Sequence, residues 1–457
     1  MKNKLRFTLL MSALLFGLII LVACGNDDGS DGGAANTGTN DTNVDNGEIT
    51  STGEVSQGIT DDEILIGTTF VTSGAAAFIG VPIVDSFHAV INRVNEHGGI
   101  GGRQINLIAY DDGGDPAVGH TLLERLLEEH GVFALMGISG GSAPMSLDYL
   151  RNFGAPIINM TGGVAFMYEE YDPGSNLFLI QPSNEIDGPT LLARAIATPV
   201  FGSNRDEYLA DDAMIGVMVN ATDAGNDIRT GLESLAAELG IEDRLLIEVV
   251  TADVYPTIIQ QFMSNNVGVL INGTLDSMGI VATMSDAGWY VPVFSAYGAS
   301  TVASYSPYTY DPLRPLFATI WAEDTSEQAL AMLADMRDAL DYLPTLDEAT
   351  RDAYIDNGFA RAGYMTAAVL VEGLERLEAS GGDWTWENFI IAMEEAPFSV
   401  GGAPEFSFAN GRRMGVENMA LWEYTAELVN GEWEVSHGIY SGFMSIDEIL
   451  ESWFNRQ

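Results

Sequence analysis

Gly137-Ile-Ser-Gly-Gly141 follows a brief apolar run at residues 133–136 and leads through Ser142 into a stretch with helical spacing. Two chemistries suit this loop. Glycines and hydroxyls before a helix leave backbone N–H groups free at a positive dipole end, which attracts a carboxylate or another anion. Ser139, Gly140, Gly141 and Ser142 are the candidate contacts. The same residues also fit G-x-S-x-G, the strand-to-helix turn that presents a nucleophilic serine, here Ser139. His437 stands downstream of it, and His97-Gly98-Gly99 faintly resembles an oxyanion loop. A second polar loop, Thr161-Gly162-Gly163, follows the apolar residues 156–160. The plainer use of all these residues is structural, with Gly turning the chain and Ser capping a helix.

The surrounding pattern decides where such loops stand. Residues 63–67 and 104–110 read as strands, and 82–95 as a helix with Ile83, Phe87, Val90, Ile91 and Val94 inward. Residues 116–130 form a second helix opened by Pro116 at an allowed first position. Residues 143–153 carry Met145, Leu147, Leu150 and Phe153 at helical spacing after the strand that Gly137 stops. Residues 177–182 read as a crossing strand, followed by a helix at 185–197. Strands near 213–219, 245–250, 267–271 and 291–294 then alternate with helices near 224–239, 256–265 and 276–287. Apolar strands alternating with amphipathic helices imply an α/β fold of parallel sheets covered by helices. Ligands of such sheets bind outside the carboxyl ends of the strands, where both loops lie. Residues 324–357 read as an acidic helical insertion on the surface, and 360–377 as a long amphipathic helix. Residues 419–424 and 432–440 read as late strands.

The chain has 457 residues, 19 Lys+Arg against 65 Asp+Glu, and a formal net charge of −46. Both lysines, Lys2 and Lys4, lie at the extreme N-terminus. A surface so acidic excludes nucleic acid as a partner, because phosphate binding needs a basic face. Acidity of this kind suits solubility in a salty or alkaline exterior. Five scattered histidines with no ligand pair at useful spacing argue against a metal, and no cofactor is expected.

Residues 1–23 combine a basic start with a nearly unbroken apolar run, as a secretory signal does. Leu21-Val-Ala-Cys24 resembles a bacterial lipobox, which implies lipidation of Cys24, the only cysteine. A lone thiol excludes an internal disulfide. Residues 24–57 are almost free of apolar side chains and read as a disordered tether. Their aspartates lack the spacing of a calcium loop.

Gly58-Ile-Thr-Asp-Asp-Glu-Ile-Leu-Ile-Gly67, Asn95-Glu-His-Gly-Gly-Ile-Gly-Gly-Arg103 and Tyr110-Asp-Asp-Gly-Gly-Asp-Pro116 stand in series. With Ser73-Gly74, Gly154-Ala-Pro-Ile-Ile158, Ala287-Gly-Trp289 and Gly363-Tyr364, they resemble the branched-chain amino-acid (Leu/Ile/Val) type of periplasmic substrate-binding protein of ABC importers. That resemblance implies a two-lobed fold with a cleft between lobes, no enzymatic activity, and a monomer that delivers a small molecule to an ABC permease. It divides the chain into lobe I at 58–180, lobe II at 181–298, a return to lobe I at 299–410 carrying the acidic insertion, and a lobe II closing segment at 411–457. The resemblance also explains both glycine clusters without catalysis, which leaves a secreted serine hydrolase as the lesser alternative and a ligand-sensing receptor module as another.

Carried across, the family's carboxylate contacts fall on Ser139 to Ser142 and Thr161 to Gly163. The aromatic expected after Ser73-Gly74 falls at or beside Phe78 and Ile79. The usual lobe II tyrosine aligns with Ala224, and the usual ammonium-binding acid aligns near Tyr297. Asp223 or Asp276 is then the substitute acid, with Thr274 and Tyr297 closing over an amino acid or related small carboxylate. With a lipid on Cys24, the protein is expected on the extracytoplasmic face of the cell membrane.

Overall fold

The computed structural model describes residues 49–161, 163–168, 172, 174–300, 315–429 and 432–455. Gly162, Cys24, the signal segment and tether residues 24–48 lie outside the described residues.

Five strands make the first sheet: β1 (Glu63–Phe70), β2 (Gln104–Asp111), β3 (Ala134–Ile138), β4 (Ile157–Asn159) and β5 (Leu177–Leu179). Their order is β2-β1-β3-β4-β5, and every pairing is parallel. Helix α1 (Ala77–Glu96) covers one face with Ile83, Phe87, Val90 and Ile91 buried. Helix α2 (Pro116–Glu124) lies on the other; the Asp115 carboxylate accepts from Ala117 N at 2.9 Å and caps it just before Pro116.

Gly137 does not end its strand. It sits inside β3 at φ 72°, and an added Cβ would lie 2.8 Å from Phe70 Cε2. Glycine is needed there for both backbone and space. The following helix is also broken: α3 (Ser142–Met145) and α4 (Leu147–Phe153) meet at Ser146, and Met145 points to solvent.

The second sheet contains β6 (Met214–Val219), β7 (Leu245–Val249), β8 (Val267–Gly273), β9 (Val293–Ser295), β10 (Leu316–Ile320), β11 (Met419–Val429) and β12 (Glu432–Met444), in the order β12-β11-β10-β9-β8-β6-β7. It is mixed, since β11 runs antiparallel to both β10 and β12. A short connection between β11 and β12 permits only that direction. Helices α5 (Asn184–Ala197), α6 (Asp223–Leu239), α7 (Tyr255–Ser264), α8 (Ser277–Asp286) and α13 (Ile446–Phe454) cover its two faces.

Three expectations need correction. Residues 316–320 belong to the second sheet as β10, not to the returning first lobe. Residues 324–357 are not a solvated insertion. They form α9 (Glu327–Asp341) and α10 (Glu348–Ile355), which bury Met332, Met336, Ala339, Leu340 and Tyr354 in the first lobe's core beside α11 (Gly358–Ser380) and α12 (Trp386–Glu395). Finally, residues 49–57 are docked rather than free. Asn388 exchanges hydrogen bonds with the Thr50 backbone at 3.0 and 2.8 Å, and Ser56 N donates to Trp384 O at 2.9 Å.

The chain passes between the sheets three times: after β5, after β10 and before β11. The first and third passages pair, with Leu179 N donating to Arg413 O at 2.9 Å and Gly415 N to Leu179 O at 2.7 Å.

Candidate functional site

A cavity of about 170 Å³ lies where these passages meet the carboxyl ends of β4, β9 and β10. Met160 and Thr161 enter it from the end of β4, and Gln181 from the first passage. Tyr297 and Ser300 come from the turn after β9, and Trp321 and Ala322 from the second passage. The N-terminal part of α11 adds Phe359, Arg361 and Met365, while Trp422 on β11 and His437 on β12 complete the wall. Strand polarity accounts for the place, because parallel strands aim their connecting loops at one edge.

Its polar side is an ion cluster. Arg361 Nη1 donates to Asp324 Oδ2 at 2.9 Å, and His437 Nε2 meets the same oxygen at 2.8 Å. Facing a carboxylate, that His437 nitrogen carries its proton. Burial alone would raise the Asp324 carboxyl, but the His437 hydrogen bond and the Arg361 charge outweigh it and hold the group below the usual range. The Trp422 ring lies on His437 with centroids 4.1 Å apart.

Tyr297 forms the floor. Its hydroxyl accepts from Gln181 Nε2 at 3.0 Å and lies 3.2 Å from Asn184 Oδ1 and 3.3 Å from Pro182 O. Its backbone N donates to Asp187 Oδ2 at 3.1 Å, while Thr319 Oγ1 donates to Asp187 Oδ1 at 2.6 Å. Burial pushes the Asp187 carboxyl up to about 7 despite these two donors, and burial followed by the nearby Asp187 charge pushes the Tyr297 phenol up.

Of the residues expected to bind ligand, Thr161 and Tyr297 come together at this cavity. Gly162 lies outside the described residues, and the other described ones lie off the cavity. Ser142 Oγ donates to the buried Asp112 carboxylate at 3.0 Å, beside Thr69 Oγ1 at 3.2 Å from the same oxygen. Ser139 is buried and tied by its backbone to Thr69 and Ser142, whereas Gly140 and Gly141 are exposed. Gly163 is buried with its carbonyl accepting from Asn184 N at 2.7 Å. Phe78 is exposed at the rim against Phe359, and Ile79 packs on the core. Thr274 is buried on Asn272, Asp276 caps α8, and Asp223 is an exposed first residue of α6.

Gln181, Trp321, Phe359, Arg361 and Trp422 were not anticipated as site residues. Arg361 carried one signal, being among few cations in an acidic chain and near the start of a long helix. The hydrolase constellation does not assemble, since His437 is paired with Asp324 and not with Ser139. A serine does meet a histidine elsewhere, Ser146 Oγ lying 2.9 Å from His120 Nδ1, but Ser146 is 1% exposed and out of a substrate's reach. Among the described residues, no three His, Cys, Asp or Glu side chains gather to hold a metal.

The two lobes also touch across the other side of the cleft. Ala165 N, beyond β4, donates to Asp227 Oδ2 on α6 at 2.8 Å. Burial, with the Glu185 and Asp223 charges adding, raises the Asp227 carboxyl.

Comparison with known proteins accords with this architecture. A fatty acid ABC transporter substrate-binding protein from Thermomonospora curvata superposes with a TM-score of 0.68 at 15% identity, over 86% of this chain and 95% of that one. A branched chain amino acid ABC transporter protein from Thermus thermophilus with bound valine gives 0.65 at 14% identity, over 87% and 100%. A solute binding protein from R. palustris in complex with benzoate gives 0.62 at 15%, over 84% and 98%. At such identities the likeness establishes the two-lobed fold. No curated protein matches the chain. The profile of the periplasmic binding protein family matches residues 63–427, most of the sequence, so the chain belongs to that family, whose members bind solutes and do not transform them.

Proposed function

We propose that this protein is the solute-capturing lipoprotein of an ABC importer, held at the outer face of the cell membrane by a lipid on Cys24. It encloses an amino acid or a related small organic acid between its lobes and delivers it to a permease. The observation that carries this reading is the cavity at the meeting point of three inter-lobe passages, with walls drawn from both lobes. A ligand there touches both sides of a hinge, and so favours whichever lobe arrangement it contacts better. Relatives of the same fold are described with bound valine and with benzoate, and another as a fatty acid carrier. The lipobox resemblance at Leu21-Val-Ala-Cys24 supports the anchor.

Thermal melting of the detergent-solubilised full chain against amino acids and small carboxylates tests the reading. A true ligand at about 100 times its dissociation constant stabilises the native state by about 2.7 kcal/mol, a readily seen shift. The absence of a shift with every such acid would count against it.

A further inference from the structure

We propose, resting on the solute-capture reading above, that Asp187 is a proton switch at the junction of the lobes, so that the cavity holds an acidic solute more tightly when this carboxyl carries its proton than when it does not.

The place comes first. Asp187 is wholly buried near the start of α5, directly after the first passage between the lobes. Its Oδ1 accepts from Thr319 Oγ1, near the end of β10 where the second passage begins. Its Oδ2 accepts from the backbone N of Tyr297, whose ring forms the cavity floor. One carboxyl thus joins two passages and the floor. A change in its charge is felt at the points about which the lobes would turn.

The surroundings favour a neutral group. Among the described residues, no cation pairs with Asp187. Of the elements packed on α5, strands β8, β9 and β10 carry no charged residue. Helices α6 and α13 and strand β11 carry acids, and their one cation, Arg229, is exposed and paired with Glu233. On α5 itself Glu185 is exposed, and Arg194 is engaged by Met419 O, Gly442 O and Ser441 Oγ. The Tyr297 phenol, pushed up chiefly by burial, stays protonated. A buried carboxylate without a cation is costly, and such a group tends to keep its proton instead. Burial accordingly pushes this carboxyl up to about 7.

A hydroxyl makes the change of state reversible. Thr319 Oγ1 lies 2.6 Å from Asp187 Oδ1 and 3.3 Å from Ser295 O. With Asp187 ionised, the hydroxyl donates to the carboxylate. With Asp187 protonated, the carboxyl O–H donates to Thr319 Oγ1, and the hydroxyl turns its own hydrogen to Ser295 O. Both states are therefore hydrogen-bonded, and they differ by one negative charge beneath the floor. That charge repels the carboxylate of a solute lying above Tyr297. Proton and solute thus favour each other's binding, by the same factor in each direction.

Infrared difference spectra of the ligand-free, detergent-solubilised full chain test the switch itself. Titration calorimetry with propionate, isovalerate and valine as probes tests its link to solute. Between about pH 6 and about pH 8.5 the wild type should lose the carbonyl band of one protonated carboxyl, a loss that Asp187→Asn does not show. Over the same range probe affinity should fall by about threefold or more in the wild type and stay level in Asp187→Asn. The fall should be steeper for the two simple carboxylates than for valine, whose ammonium offsets the repulsion. Thr319→Val takes a donor from the ionised form and should move the infrared midpoint to higher pH. Absence of the band, a level affinity in the wild type, or a fall that Asp187→Asn shares would overturn the proposal, the last placing the proton on another group such as His437. An intact infrared switch with no binding of these probes, or of any other amino acid or small carboxylate, at either pH would instead overturn solute capture.

Discussion

Tyr297, carried beyond a strand of the second sheet, accepts a hydrogen bond of 3.0 Å from Gln181 in the first passage between the lobes. Both side chains line the cavity, so under the proposed solute capture one pair of residues would serve ligand and inter-lobe passage together. The clamp role expected of Tyr297 from its alignment is here proposed to extend to the hinge. Tyr297→Phe keeps the ring and strips the hydroxyl from Gln181 and Asn184. Leaving buried partners unmet costs about 1–3 kcal/mol, so the variant should melt earlier and bind solute more weakly. Small-angle scattering should show less compaction with ligand than in the wild type. Unchanged melting together with full compaction would refute the hinge role.

Asp187 makes a pH prediction. Its folded carboxyl titrates near about 7, against about 3.9 in an unfolded chain. Below the unfolded value both states hold the proton, and the group contributes nothing. As pH rises from about 4 to 7 the unfolded chain releases the proton while the folded protein keeps it, so stability from this group falls. Above that window the loss is complete. Melting temperatures measured across it should decline less steeply in Asp187→Asn than in the wild type. Parallel curves would contradict the assignment.

Gly137→Ala tests the packing beneath the first loop. The added methyl would lie 2.8 Å from Phe70 Cε2 and 3.1 Å from the Phe87 ring, at a backbone φ of 72°. Overpacking costs about 1–3 kcal/mol and the left-handed backbone about 1–2 more. Urea unfolding should show a loss above about 2 kcal/mol. A loss under about 0.5 kcal/mol would mean that the core yields freely here.

Much of the fold could be read in advance because apolar strands such as residues 63–67 and helices such as α1 announce themselves by local period. The acidic stretch 324–357 misled for a definite reason. Its charges mask the stripe Ala329, Met332, Met336, Ala339 and Leu340, which is spaced to face a core. The cavity was harder still. Trp321, Phe359 and Trp422 meet only because three passages fold distant segments together, and no local pattern encodes that. The glycine-serine loop was legible as a loop, but Asp112 beneath it accepts the hydrogen bond of the Ser142 hydroxyl, which turns that donor away from the expected carboxylate site.

Cys24 is expected to carry the anchor, from the lipobox resemblance of Leu21-Val-Ala-Cys24. Cys24→Ser should leave an unprocessed precursor or release the protein from the membrane fraction. Normal processing with full membrane retention would contradict this.

Capture of one solute in the cavity between the lobes is the central claim, and calorimetric titration of the wild type against Ala362→Trp tests it most directly. Ala362 lines the cavity, so the indole fills the space a ligand needs. The account predicts one saturable small-acid site per wild-type chain, lost in the variant while its thermal unfolding stays cooperative. An unchanged isotherm in Ala362→Trp, or no saturable site in the wild type, would contradict it.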